Sequence, residues 1–203
     1  MQALHSSSSS TTSTKLNSEW SFWYASRKEK DHHIPYEARL TEVYTFTTLE
    51  EFFNVYLRLK TIEQIERNND VALFKKGYQP LWESCPDSGF WFYRFKRTDD
   101  DKDINLKWEK ILFALIGEQF DEVHILGAVL SIRGRETIIE LWFNFFGYEK
   151  IKNHVAQKFR EILSIDSGET VYFKDIKQSL IDKSTLRNAE TYSFRKQRKF
   201  TYN

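Results

Sequence analysis

Trp82 and Glu83 are adjacent, and together they carry the first chemistry legible in this chain. They sit in GYQPLWESCPDSGFWFYRF, Gly77 to Phe95, after a Gln-Pro turn and before an aromatic-rich run. A guanine base suits such a pair. Its edge presents two neighbouring donors, N1–H and the N2 amine, which one carboxylate can accept together. Its face stacks on an indole, an interaction worth roughly 1–3 kcal/mol per base. Methylation at N7 makes the base a cation, and aromatic faces on both sides then add roughly 0.5–2 kcal/mol. Phosphates attached to it would call for one or two arginines nearby. Taken alone, a loop Trp is more often a packing residue and a loop Glu more often solvated, so the choice rests on the rest of the chain.

Other chemistries lack their residues. There is no GxSxG, HExxH, Walker A or Rossmann glycine pattern. The chain holds only 7 glycines, and none cluster into a phosphate-cradling loop. Asp99, Asp101 and Asp103 start a calcium-loop spacing, but Ile104 stands at its sixth position and Lys110 at its twelfth, which reads as a solvated turn. His32 and His33 are adjacent and cannot share one face of a strand or helix, so they read as loop residues. Cys85 is the single cysteine; it excludes an internal disulfide and fits a reducing compartment, as a plain thiol. Neither a cofactor nor a metal is expected. With no activated nucleophile or acid–base pair visible, an enzyme is not expected either.

The elements that must hold Trp82 and Glu83 follow from patterning. The 203 residues suffice for one domain with a core. The 30 basic and 29 acidic residues leave a net charge of +1, so nucleic-acid binding would need a local site rather than a bulk positive field. No apolar run approaches a membrane span, and the start of the chain lacks the order of a secretory signal, which predicts a cytoplasmic protein. The SSSSSTTST segment predicts a disordered tail over residues 1–16, ahead of one domain over 17–203 whose end, from Lys183, is polar and basic. Strands are predicted around 20–24, 40–46, 71–74, 90–95, 127–133, 138–143 and 171–173. TDDDKD, 98–103, reads as a turn. Thr48 and Glu51 form a capping box opening one helix, Trp108 to Ile116 marks a second that Gly117 stops, and Ile151 to Leu163 a third. The fold class is α+β: one antiparallel sheet with helices on one face.

In this order the residues resemble the eukaryotic translation initiation factor 4E family, the mRNA cap-binding proteins. The matching pieces are Trp20-x-x-Trp23, TLEEFF (48–53), LFKKGYQPLWE (73–83), WEKILFALIGEQF (108–120), GAVLSIR (127–133) and IIELW (138–142), spanning about residues 16–165. The resemblance implies a curved sheet with three helices behind it and a cap slot on its concave face. Trp82 then corresponds to the stacking Trp, Glu83 to the carboxylate reading the guanine edge, and Tyr36 to the second stacking ring. Arg133 corresponds to the arginine that grips phosphates, Asp70 to the acid orienting it, and Trp142 to the Trp near the N7-methyl group. The family's second phosphate lysine falls on Ile138, with Arg135 at another basic position that could substitute in part. Tyr36 and Ile138 resemble the second class, the 4E-homologous-protein branch. The smaller ring and the missing cation predict cap affinity weakened by about 1–2 kcal/mol together.

The family's convex back takes partners with a Tyr/Leu helical motif, a 4G-like scaffold or a 4E-binding protein. Its central Trp falls on Phe53, with Leu49 one turn earlier, Phe113 on the second helix, and Lys110 where an acidic residue is usual. The implied function is binding of capped mRNA and recruitment of translation machinery, by a monomer with no membrane partner. A regulatory adapter that represses or redirects bound mRNA is the alternative. Basic residues Arg195 to Lys199 form either a solvated tail or a contact to nucleotides beyond the cap.

Overall fold

Large apolar side chains recur on both sides of the extended segments, which dictates a sheet covered on two faces. In the computed structural model, residues 13–27, 33–96, 102–121, 124–166 and 168–193 are described. Among them eight strands form: β1 (Lys15–Ser26), β2 (Leu40–Thr48), β3 (Asn69–Lys75), β4 (Ser88–Lys96), β5 (Ile125–Ile132), β6 (Glu136–Asn144), β7 (Thr170–Asp175) and β8 (Glu190–Ser193). They make one sheet in the order β2-β1-β3-β5-β6-β4-β7-β8. Every neighbouring pair is antiparallel.

Helices α1 (Leu49–Tyr56), α2 (Lys102–Ile116) and α3 (Glu149–Leu163) cover one face. Phe52 from α1, Ile111 and Leu112 from α2, and Val155 and Phe159 from α3 pack there against Phe22, Leu73, Leu130, Ile139 and Leu141 of the strands. The expected sheet and three-helix backing are therefore present. Helix α4 (Ile176–Asp182) is an addition on the opposite face, where Ile176 joins Phe90, Phe92, Val129 and Trp142. Its seven residues, IKQSLID, are too few for helical periodicity to register, although Asp175 caps it by accepting from the Lys177 N–H at 2.7 Å.

Helix α1 begins at the expected capping box: Thr48 Oγ1 accepts from the Glu51 N–H, and Glu51 Oε2 accepts from the Thr48 N–H at 3.1 Å. The helix end is also tied to the start of the chain, because the Leu49 N–H donates to the Thr14 carbonyl at 2.9 Å. β1 starts at Lys15, inside the span expected to be tail; residues 1–12, including the serine run, lie outside the described residues. Likewise Lys102 and Asp103, expected in a turn, already belong to α2, and Asp99, Asp101 and His32 lie outside the described residues. β8 gives the segment after Lys183 order as far as Ser193; Arg195 to Lys199 lie outside the described residues.

Candidate functional site

The face of the sheet opposite α1–α3 is built in three rungs by strand register. Asp70, Ser131 and Ile138 face one another across β3, β5 and β6; then Ala72, Val129 and Glu140; then Phe74, Gly127 and Trp142. Small side chains in the middle strand let the floor sink between larger ones. Gly127 is required: a Cβ there would stand 2.3 Å from the Leu73 carbonyl oxygen and 2.6 Å from the Phe74 ring. Over that position the Trp142 ring meets Phe74 edge-on at 5.4 Å and stacks on Phe90 at 5.4 Å. A cavity of about 740 Å3 opens above this floor.

One wall is the loop from Lys76 to Asp87. Gly77 turns the chain after β3 with φ of 93°, a conformation in the glycine-favoured region. Pro80, Leu81 and Cys85 are buried and anchor the loop. Successive turns then close through Ser84 N–H to Leu81 O at 3.2 Å and Cys85 N–H to Trp82 O at 3.1 Å. Trp82, half-buried, packs its ring toward the floor cluster, and Glu83 is exposed at the cavity rim. Burial pushes the Cys85 thiol up to about 11, and its sulfur donates to the Gln79 carbonyl, so it is a structural thiol.

The other wall is an electrostatic knot around Asp70, whose side chain is only 3% exposed. Arg27 Nε lies 2.7 Å from Asp70 Oδ2, and Arg133 Nη2 lies 2.7 Å from Oδ1. The Arg133 contact is an ion pair without hydrogen-bond alignment; that guanidinium also donates to the Asn69 and Ile132 carbonyls at 3.3 and 3.2 Å. The Tyr36 hydroxyl donates to Asp70 Oδ2 at 3.0 Å. Burial and the Asp70 carboxylate raise the Tyr36 phenol well above its ordinary pKa, so it stays a donor. The Arg27 guanidinium lies over the Tyr36 ring at 4.3 Å. On the floor, Glu140 accepts from the Trp142 indole N–H at 2.9 Å. Burial pushes the Glu140 carboxyl up to about 7, with the Trp142 bond pulling the other way.

Of the residues expected at the site, Tyr36, Trp82, Glu83, Arg133 and Trp142 line this one cavity, and Asp70 lies beneath Tyr36 and Arg133. Arg135 does not line it and stands exposed in the β5–β6 turn. Sequence reasoning missed Arg27, Arg39, Glu136 and Glu140, and the segment from Lys183 to Leu186, all of which line it. Glu140 left one signal: a lone acid in the otherwise apolar strand IIELW.

On the helical face, Phe53 and Phe113 are 39% and 36% exposed, with ring centroids 6.0 Å apart. Tyr56 joins them, 5.3 Å from Phe113, and its hydroxyl donates to Glu109. Leu49 is half-buried against the core. Lys110 donates to Ser164 Oγ at 3.1 Å rather than standing free.

Comparison with known proteins agrees with this geometry. The family model described as eukaryotic initiation factor 4E matches residues 15–191. The chain is similar to initiation factor isoform 4E-2 of Zea mays, 32% identical over 164 residues covering 79% of this chain and 74% of that protein. It is 31% identical to isoform 4E of Nicotiana tabacum over 173 residues, 84% of this chain and 85% of that protein. Among solved structures it resembles eIF4E-3 of C. elegans in complex with the 4E-binding protein Mextli and a cap analog. That likeness has a TM-score of 0.76 at 27% identity, covering 84% of this chain and 96% of that one. With its sheet order, the cavity on the face opposite α1–α3 and a family match over nearly all of the described residues, the chain belongs to the eukaryotic initiation factor 4E family.

Proposed function

We propose that this protein binds the 7-methylguanosine cap of mRNA and recruits translation machinery for initiation, in the cytoplasm and without catalysing a reaction. The observation that carries the cap reading is the convergence of two aromatic rings, a rim carboxylate and two guanidiniums on one concave cavity. Tyr36 and Trp82 supply faces for the cationic base, at roughly 0.5–2 kcal/mol of cation–π attraction above stacking. Glu83 accepts from the guanine N1–H and N2 amine; adenine would leave that carboxylate desolvated and unpaired, which is the source of base selectivity. Trp142 forms the floor near the N7-methyl group, and Arg133, held by Asp70, meets the phosphates.

The exposed rings of Phe53 and Phe113, with the half-buried Tyr56 beside them, support the recruiting half of the function. They suit an amphipathic helix with Tyr and Leu anchors, from a 4G-like scaffold or a 4E-binding protein. Leu49 would extend that surface by one turn. Lys110, at its edge, would favour an acidic partner residue there.

The direct test is tryptophan fluorescence quenching on titration with 7-methyl-GTP beside GTP. Strong quenching by the methylated nucleotide and little by GTP is expected. Glu83→Ala should abolish retention on cap resin while its thermal transition stays that of the wild type. Retention of that variant would overturn the guanine assignment.

A further inference from the structure

We infer that Arg27 is a second phosphate-binding residue of the cavity, forming with Arg133 a two-guanidinium clamp on the anionic tail of the ligand. The inference rests on the cap reading above and deepens it. Asp70 is one carboxylate shared by two guanidiniums, Arg27 on Oδ2 and Arg133 on Oδ1, each at 2.7 Å. Asp70 sets one negative charge against two guanidiniums, and both arginines line the cavity. Because the two pair with opposite oxygens of one buried acid, their spacing is set before any ligand arrives. Guanidiniums preorganised in this way match phosphate oxygens in fork geometry.

Among the other cations nearby, Lys183 also lines the cavity, on the segment after α4 and not on the Asp70 carboxylate. Arg39 donates to the Ser26 carbonyl at 2.9 Å, and Arg135 does not line the cavity. Ile138, on the rung beside Ser131, presents only hydrocarbon. Arg27 also lies over the Tyr36 ring at 4.3 Å, which couples the stacking wall to the charged one. An aromatic base with a polyphosphate tail thus meets a ring and a guanidinium fixed to the same carboxylate. The side chain is 42% exposed, so a phosphate can reach it without rearrangement of the fold.

The test compares 7-methylguanosine, 7-methyl-GMP and 7-methyl-GTP on wild type, Arg27→Gln and Arg27→Lys by fluorescence quenching. In the wild type, affinity should climb with phosphate number. Arg27→Gln should lose about tenfold for 7-methyl-GTP and stay within about twofold for the nucleoside. Arg27→Lys, which keeps the charge, should recover part of the phosphate increment. Asp70 stays paired with Arg133 in both variants, and an unchanged thermal transition verifies the fold. Two results overturn the inference: equal loss for nucleoside and triphosphate, which would make Arg27 a brace for Tyr36 alone, or tighter triphosphate binding by Arg27→Gln. Failure of the wild type to bind 7-methyl-GTP would instead bring down the cap reading itself.

Discussion

Glu140 is a carboxylate buried in the floor of the cavity, within the field of Asp70, Arg27 and Arg133. Burial moves it from its ordinary 4.5 to about 7, so the native state holds its proton more tightly than the unfolded chain does. The stability from that protonation is fully present below about pH 4.5 and is lost as pH rises through about 7. A shift of this size is on the order of 3 kcal/mol. Thermal denaturation should therefore show Glu140→Gln gaining on the wild type between pH 5 and pH 8, with the two nearly equal near pH 4. A constant difference across that range would show that Glu140 does not titrate there. The residue scale is also where sequence reading was strongest and weakest. Trp82-Glu83 was legible because the two groups that would read one base are covalent neighbours. Arg27 was not, because its partners Tyr36, Asp70 and Arg133 are distant in sequence, and only folding sets the distances.

Among the elements, α1 shows how local rules fix a boundary. The capping box closes two backbone N–H groups reciprocally, and nothing distant is needed to read it. Thr48→Ala should destabilise the protein by about 1 kcal/mol, a fall in Tm of about 2–4 °C. Quenching by 7-methyl-GTP should be unchanged in that variant, since α1 and the cavity lie on opposite faces of the sheet. A loss of nucleotide binding would mean that the helical layer shapes the cavity. The start of α2 escaped the same reasoning. Asp and Lys in TDDDKD read as turn residues, yet Lys102 and Asp103 are helical because α2 buries Ile104, Trp108 and Ile111 against the sheet. Tertiary burial outweighs a weak local propensity. Helix α4 and β8 escaped because each is short and its apolar residues find partners only on a sheet already formed.

For the molecule as a whole, one sheet separates two surfaces. The concave face carries the cavity, and the helical face carries the cluster of Phe53, Tyr56 and Phe113. Removing both exposed rings with Phe53→Ala and Phe113→Ala should weaken binding of a Tyr/Leu helical peptide by about tenfold or more. Affinity for 7-methyl-GTP should stay within about twofold, because sites separated by a packed core with no shared partner behave additively. Calorimetry with each ligand checks both; parallel losses would reveal coupling through the sheet. By itself the sequence determined seven of the eight described strands, the three helices behind the sheet, the capping box and the Trp82-Glu83 pair. Each is written in residues close along the chain, where period, caps and turns act. Only the tertiary structure decided that Ser131 and Ala72 leave room above the floor, that Glu140 is buried beside Trp142, and that Asp70 binds Arg27, Tyr36 and Arg133 together. Those outcomes depend on strand register and on desolvation in a closed space, and neither exists until the sheet has folded.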